Sequence, residues 1–281
     1  MSTERSIHEP DKQGFISSIH NYCDRRCEKC RFIRQCRVGI MEADDVDDDR
    51  EPGDERVEDY EARLRKVMGV PEDDDDDNED DGDEKKDGFD PSEFLSTEAD
   101  DDGQSMEEFQ REQEELRAKT KAHEASKLAQ AYMDMVGEWM EPREKQLEAR
   151  GVLLNKRAEL RMDPGLRTPE ALVLSEAIDE VGWFQHMLWV KCQRALQGKI
   201  ADPEWMKEFD MDPVQSDWNG TAKLCLHIVD RCQQAWATIA ELMPEEADDI
   251  EPMQEVLRRC KTELDKEFPD AEKFIRPGFD A

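Results

Sequence analysis

The sequence of 281 residues combines a charged fraction of 40% with a formal net charge of −33 at pH 7. This acidity excludes a uniformly globular chain and argues against a protein that binds nucleic-acid phosphates over its whole surface. The sequence shows no export signal and no apolar run long enough to cross a bilayer, so we expect a cytoplasmic protein with reduced thiols and no membrane partner.

Charge divides the sequence into three parts. Residues 1–40 carry 8 Lys and Arg against 5 Asp and Glu, a net charge of +3, whereas residues 41–120 carry 10 against 35, a net charge of −25. Residues 121–281 carry 21 against 32, a net charge of −11. These shifts predict a short basic segment at 1–40, a linker at 41–120 and a larger domain at 121–281.

Four of the eight cysteines lie within fourteen residues of the basic segment, spaced C-x3-C-x2-C-x5-C. Thiols this crowded are typical of a metal centre, and nearby cations favour the thiolate that ligates metals. The basic residues among them are Arg25, Arg26, Lys29, Arg31, Arg34 and Arg37. The predicted metal ligands are Cys23, Cys27, Cys30 and Cys36.

The spacing also bears on which metal is bound. Structural zinc usually takes two Cys-x2-Cys pairs on separate elements. This segment has one such pair, and all four cysteines lie in one short stretch of chain that would wrap around the metal. A wrap of this kind is typical of iron–sulfur proteins, because the chain winds around a larger object. We therefore predict an iron–sulfur cluster, of the 4Fe–4S type, with zinc as the alternative and uncoordinated redox thiols as a third interpretation.

The linker at 41–120 contains an unbroken aspartate run, Asp73–Asp77, with further acids on both sides. Such a run repels itself and has little apolar surface to bury, so burial does not offset the entropy of ordering it. We expect this linker to be largely disordered. It would tether the four-cysteine segment at 1–40, called the metal segment below, at a distance from the domain that follows.

Residues 121–281 show apolar residues at helical spacing and no run that alternates with period two. Four amphipathic helices of this length can bury a core, which predicts an all-α fold, a helical bundle preceded by the metal segment and the linker. The predicted helices run from near His123 to Trp139, from Thr168 and Pro169 to Gly198, from Ser216 and Asp217 to just before Pro244, and from near Pro252 to Phe268.

Two sets of side chains in the bundle bear on chemistry. Cys192, Cys225, Cys232 and Cys260 lie in or beside apolar stripes, so we interpret them as core residues in preference to a second metal site. Polar residues of the second and third helices could form a pocket served by the metal centre, or could be occupied in salt bridges and caps. These candidates are Glu180, His186, Lys191, Asp217, Lys223 and Asp230.

Three segments resemble a family of uncharacterised bacterial proteins. Tyr22–Phe32 reads Y-C-D-R-R-C-E-K-C-R-F and resembles that family's Y-C-D-R-W-C-E-R-C-x-F signature, with Arg26 in place of Trp. Trp183–Leu196 is similar to its W-Y…K-x-x-R-A-L helix, and Asn219–Trp236 to its N-G-S-A-K…I-D-R…A-W helix. The resemblance implies a cysteine segment with a C-terminal helical domain in a bacterial cytoplasm, and it implies no particular reaction.

Two classes of function fit these observations. The first is a metal-binding helical protein that acts in redox sensing, electron transfer or docking to a protein partner; a zinc-stabilised interaction protein is a variant of it. The second is an enzyme with a polar pocket in the bundle. Nucleic acid is not an expected partner, although the basic patch Arg25–Arg37 alone could contact it, with the acidic linker as a competitor.

Overall fold

The computed structural model describes residues 9–46, 106–152, 168–201 and 212–280. Throughout these ranges the regular elements are helices and no strand is present, which confirms the predicted all-α class. Residues 47–105 of the predicted linker, including the aspartate run, lie outside the described ranges, as does most of the segment between the first two predicted bundle helices.

Besides short 3-10 turns, the described residues form seven α-helices. Their lengths range from 6 to 33 residues, and the longest, α5, is a central element of the bundle. The helices are α1 Arg37–Val46, α2 Met106–Ala122, α3 Glu124–Met140, α4 Glu144–Ala149, α5 Pro169–Ala201, α6 Asp217–Leu242 and α7 Ala247–Glu267.

Helices α3, α5, α6 and α7 form a closed four-helix bundle. Helix α3 packs against α5 and α7, and α6 packs against the same two helices, with the most extensive contact between α5 and α6. In the core between α3 and α6, the Trp236 indole donates a hydrogen bond to the Tyr132 hydroxyl at 3.0 Å. The Trp236 ring also meets Trp139 edge-on, with 5.0 Å between ring centroids. Both contacts fix the orientation of side chains that also bury large apolar areas.

Side-chain caps place the starts of the bundle helices close to where the sequence predicts them. The Ser216 hydroxyl accepts a hydrogen bond from the Asn219 backbone N–H at 3.4 Å, and the Thr168 hydroxyl accepts one from the Ala171 N–H at 3.1 Å. At the start of α3 the His123 Nδ1 accepts from the Ala125 N–H at 3.2 Å. Each cap satisfies an N–H group that has no partner within its helix.

Three helix boundaries differ from the prediction. Helix α5 continues past Gly198 to Ala201, because Gly198 packs in the helix interior against Trp218 and does not terminate the helix. Helix α7 begins at Ala247 and contains Pro252 within its second turn. Helix α2 begins at Met106, inside the segment assigned to the linker, and packs against α3 and α5.

Candidate metal centre

The predicted metal segment is a chain of tight turns. A 3-10 turn at Ile19–Tyr22 ends just before Cys23. A second, Cys27–Lys29, leads to Cys30, and a third, Ile33–Gln35, leads to Cys36, after which α1 begins directly. The Cys30 N–H donates to the Cys27 carbonyl oxygen at 3.1 Å, and the Ile33 N–H donates to the Cys30 carbonyl oxygen at 3.3 Å. These bonds give the backbone a defined path from one thiol to the next.

Cys36 is the buried member of the four cysteines. It packs with Ile16 and Ile19 in a small apolar cluster, and its sulfur accepts a hydrogen bond from the Gly39 N–H at 3.3 Å. A Cβ atom at position 39 would lie 2.9 Å from the Ile33 carbonyl oxygen, so this close approach requires glycine.

The other three cysteines are partly exposed. The Cys23 thiol donates to the His20 carbonyl oxygen at 3.5 Å, and burial raises the pKa of that thiol. Among the described residues, no three His, Cys, Asp or Glu side chains are grouped as metal ligands. Ligation by Cys23, Cys27, Cys30 and Cys36 therefore stays a prediction from their spacing.

Ion pairs hold the turn between the first two cysteines on the bundle. Asp24 accepts a hydrogen bond from Arg231 of α6 at 2.6 Å, and its backbone carbonyl accepts one from the Trp183 indole N–H of α5 at 2.9 Å. Arg26 pairs with Asp179 of α5 at 2.7 Å. The metal segment thus lies against α5 and α6, which corrects the expectation that it is held at a distance from the bundle.

The Arg26 side chain fills the space between the metal segment and α5. Its guanidinium lies 4.8 Å from the Trp183 ring centroid and 5.8 Å from that of Phe184, and it donates a second hydrogen bond to the Asp179 carbonyl oxygen at 3.0 Å. A cation over an aromatic face is attracted to the ring electrons. Arg26, the residue that departs from the signature of the resembled family, therefore combines aromatic packing with an ion pair.

Tyr22 anchors the segment on the other side of Cys23. Its hydroxyl donates to Asp217 of α6 at 3.0 Å, and Asp217 also pairs with Arg194 of α5 at 2.7 Å. The Tyr22 ring packs against Phe274, with 4.7 Å between centroids, directly over Gly220 of α6. The glycine leaves room for two aromatic rings to reach the helix backbone.

A tail segment, defined as residues 268–280, covers the metal segment from outside the bundle. The buried Lys223 ammonium of α6 donates to the Phe274 carbonyl oxygen at 2.7 Å and to that of Glu272 at 3.1 Å, and it pairs with Asp280 at 2.7 Å. Further along, Phe279 meets Phe32 edge-on, with 5.2 Å between centroids. The metal segment is therefore in contact with α5, α6 and the tail, while three of its cysteines stay partly exposed.

The Asp280 carboxylate makes attachment of the tail sensitive to acid. Burial acts to raise its pKa, but hydrogen bonds from Arg276 and Lys223 outweigh burial and hold the pKa well below its usual range. The contribution of this carboxylate to the free energy of unfolding is therefore complete above the unfolded pKa of about 3.9 and is lost as the pH falls further.

We expect the difference in free energy of unfolding between the wild type and Asp280→Asn to stay constant from about pH 8 to 5, and to shrink below about pH 4. Urea unfolding at each pH measures this difference. A difference that already shrinks between about pH 7 and 5 would contradict the depressed pKa.

Five of the six polar candidates of the bundle have separate polar partners. Lys191 donates to the Asn21 carbonyl oxygen at 3.1 Å, and Glu180 pairs with Arg231. Asp217 and Lys223 hold Tyr22 and the tail, as described above. Asp230 pairs with Lys261 of α7 at 2.5 Å, and His186 is exposed beside Trp189. The salt-bridge interpretation fits four of the six, namely Glu180, Asp217, Lys223 and Asp230. Four of the six also contact the metal segment, its anchoring pairs or the tail.

The four bundle cysteines are buried in the hydrophobic core, as their positions in the apolar stripes predict. Burial raises the pKa of all four thiols, to about 12 for Cys232 and Cys260, so they stay protonated near neutral pH. The Cys260 thiol approaches the Ala125 carbonyl oxygen at 3.9 Å. These thiols behave as small apolar core residues.

Sequence reasoning missed the tail and the partners of Asp24 and Arg26. Two aromatic residues after the last predicted helix, Phe274 and Phe279, were the available signal for the tail. Asp24 and Arg231 are 207 positions apart, and no local pattern indicates that they pair.

The three segments that carry the family resemblance lie together in this arrangement. Comparison with protein-family models, with curated proteins and with solved structures finds no match to the chain. In the part of the chain that the structure describes, no helix is both long enough and apolar enough to span a bilayer.

Proposed function

We propose that the protein is a cytoplasmic metalloprotein whose Cys23, Cys27, Cys30 and Cys36 ligate a 4Fe–4S cluster, with a single zinc ion as the alternative. Its function would be redox sensing, electron transfer or docking to a protein partner. A four-thiolate centre uses all its ligand positions for protein sulfur, which suits electron transfer or structural roles better than substrate activation at the metal.

The contrast between two sets of cysteines carries this proposal. Four thiols lie deep in the bundle core, where burial keeps them protonated. The other four lie on consecutive tight turns of one surface segment, three of them partly exposed and within reach of metal or a redox partner. Core packing explains the first set and also the buried Cys36, and it leaves Cys23, Cys27 and Cys30 unexplained.

The way the metal segment is held also supports the proposal. Asp24 and Arg26, the residues between the first two cysteines, are fixed by bundle side chains at 2.6 and 2.7 Å. Outer partners that orient the residues around a ligand pair increase metal affinity by restricting alternative conformations. A surface loop without a bound group has no evident need for this degree of restraint.

The enzyme alternative finds less support in the bundle. Its candidate side chains are engaged separately, for example Asp230 with Lys261 and Lys223 with the tail. An active site would need several polar groups that converge on one cavity.

Anaerobic purification followed by an absorption spectrum and analysis of iron, sulfide and zinc tests the proposal. We expect a brown protein with iron and sulfide, and we expect the double variant Cys27→Ala/Cys30→Ala to lose them. A colourless protein with one zinc per chain would show that the centre binds zinc and not an iron–sulfur cluster.

Cys260→Ala is the matched control, because it also removes a thiol but from the core. It should keep the full metal content while losing on the order of 1 kcal/mol of stability through the small cavity it leaves. Equal metal content in the wild type and the Cys27→Ala/Cys30→Ala variant would show that these cysteines are not the ligands.

A further inference from the structure

Cys27 and Cys30 lie at the two ends of one tight turn. The Cys30 N–H donates to the Cys27 carbonyl oxygen at 3.1 Å and closes a 3-10 turn. A turn closed in this way brings its two end Cα atoms within about 7 Å of each other. In a 3-10 turn the side chains three residues apart also lie on the same side of the backbone. Because a disulfide requires Cα atoms about 4.4–6.8 Å apart, this turn suits a disulfide between its two ends.

The residue before the turn is fixed to the bundle. Arg26 is 7% exposed, and its guanidinium donates to the Asp179 carboxylate at 2.7 Å and to the Asp179 carbonyl oxygen at 3.0 Å. The Arg26 carbonyl oxygen accepts a hydrogen bond from the Lys29 N–H at 3.0 Å, so a second bond supports the turn. Two groups held together react at a higher effective concentration than groups on a mobile chain. This restraint therefore favours a bond between Cys27 and Cys30.

The other two cysteines of the segment are less suited to disulfide chemistry. Cys36 is buried against Ile16 and Ile19, so a reagent reaches its sulfur only after this cluster opens. Cys23 is partly exposed, but its thiol donates to the His20 carbonyl oxygen at 3.5 Å. Burial also raises the pKa of the Cys23 thiol, which lowers the fraction of thiolate that attacks a disulfide.

We propose that Cys27 and Cys30 form a redox-active dithiol that reacts by thiol–disulfide exchange with a low-molecular-weight disulfide such as oxidised glutathione. The thiolate of one cysteine attacks a sulfur of oxidised glutathione, which releases one glutathione and leaves a mixed disulfide. The thiolate of the other cysteine then attacks the protein sulfur of the mixed disulfide, and the second glutathione leaves. Two protein thiols are oxidised to one disulfide, one oxidised glutathione is reduced to two glutathione molecules, and the two thiol protons pass to glutathione. This reaction goes beyond the proposed function, because it needs no metal.

Trypsin can distinguish the four cysteines of the segment. Cleavage after Lys and Arg places each of them in a peptide of its own, namely residues 13–25, 27–29, 30–31 and 35–37. The full-length protein is reduced, treated with a chelator, equilibrated with a glutathione redox buffer, alkylated and digested. By mass spectrometry we expect peptides 27–29 and 30–31 to be joined by a disulfide that is at least about tenfold more abundant than any other pair.

Single variants test the two steps of the exchange. Cys27→Ser and Cys30→Ser should each stop at the mixed disulfide with glutathione, because the second thiol is missing. Cys23→Ser is the matched control in the same segment, and it should form the disulfide between Cys27 and Cys30 as the wild type does. Loss of this disulfide in Cys23→Ser would overturn the assignment of the pair.

Urea separates the effect of the turn from nearness in the sequence. In the unfolded chain Cys23 and Cys36 are released, so we expect several pairs to form and the preference for Cys27 with Cys30 to fall about tenfold. The same mixture of pairs in the folded and unfolded protein, or thiols that stay reduced in oxidised glutathione, would overturn the inference and leave the metal centre standing. A protein that purifies without iron or zinc would refute the proposed metal centre and leave this inference standing.

Discussion

Gly220→Ala is expected to destabilise the protein by about 1–3 kcal/mol and to loosen the metal segment, although alanine is the better helix former. In an open helix interior this substitution stabilises by about 0.5–1 kcal/mol. At position 220 the new Cβ would lie 2.5 Å from Tyr22 Cε1 and 2.6 Å from Phe274 Cζ. Overpacking of this kind costs about 1–3 kcal/mol, because the two rings can make room for the Cβ only by giving up their packing against α6.

Gly137→Ala in α3 is the matched control. No atom outside the helix backbone lies within 4 Å of the Cβ it would add, and the position is exposed. We expect it to raise the free energy of unfolding by about 0.5–1 kcal/mol. Chemical unfolding measures both variants, and limited proteolysis near the cysteines measures release of the metal segment. If both variants stabilise the protein equally, the packing of Tyr22 and Phe274 on Gly220 is wrong.

Lys223→Met is expected to have the largest effect among single charge removals, a loss of about 3–5 kcal/mol if the tail stays in place. The Lys223 side chain is 10% exposed and its ammonium bonds to three oxygens of the tail. Removing it leaves two carbonyl oxygens without this donor and leaves Asp280 with Arg276 as its remaining partner. The tail can avoid this cost by leaving the bundle, so release of the tail limits the loss.

Urea unfolding gives the stability of Lys223→Met, and proteolysis within residues 268–280 reports release of the tail. Lys261→Met is the control, because Lys261 pairs with Asp230 at 2.5 Å on a more exposed surface, where a single ion pair contributes about 0–1 kcal/mol. Equal losses in the two variants would show that the three bonds of Lys223 do not hold the tail.

Local signals in the sequence were enough for most of the bundle. Ser216 and Thr168 cap helices where their positions predict. The apolar residues that recur at helical spacing in α3, α5, α6 and α7 are buried in one core. Helix α2 escaped prediction because it is polar on nearly every face. Thr120 is its buried residue, and Met106 and Phe109 are exposed. A helix of this kind has no stripe for periodicity to detect.

The candidate site could be predicted from the sequence only in part. The cysteine spacing predicts four ligands within one short segment, and their ligation stays a prediction. The restraints on that segment come from α5, α6 and the tail, and they depend on pairs such as Tyr22 with Asp217, which are 195 positions apart. Single-sequence patterns carry no information on such pairing, so Lys191 and Lys223 were recognised as polar candidates without their partners.

The packing of Phe274 and Phe279 over the metal segment has a consequence for biosynthesis. Chains grow from the N-terminus at about 5–20 residues per second, so roughly 10–50 s pass between synthesis of Cys23 and synthesis of Phe274. During most of this interval the four thiols have neither α6 nor the tail packed against their segment. The segment between Tyr22 and Phe32 therefore does not have its full set of long-range partners until the last tenth of the chain is made, and its thiols are more accessible during synthesis than in the folded protein.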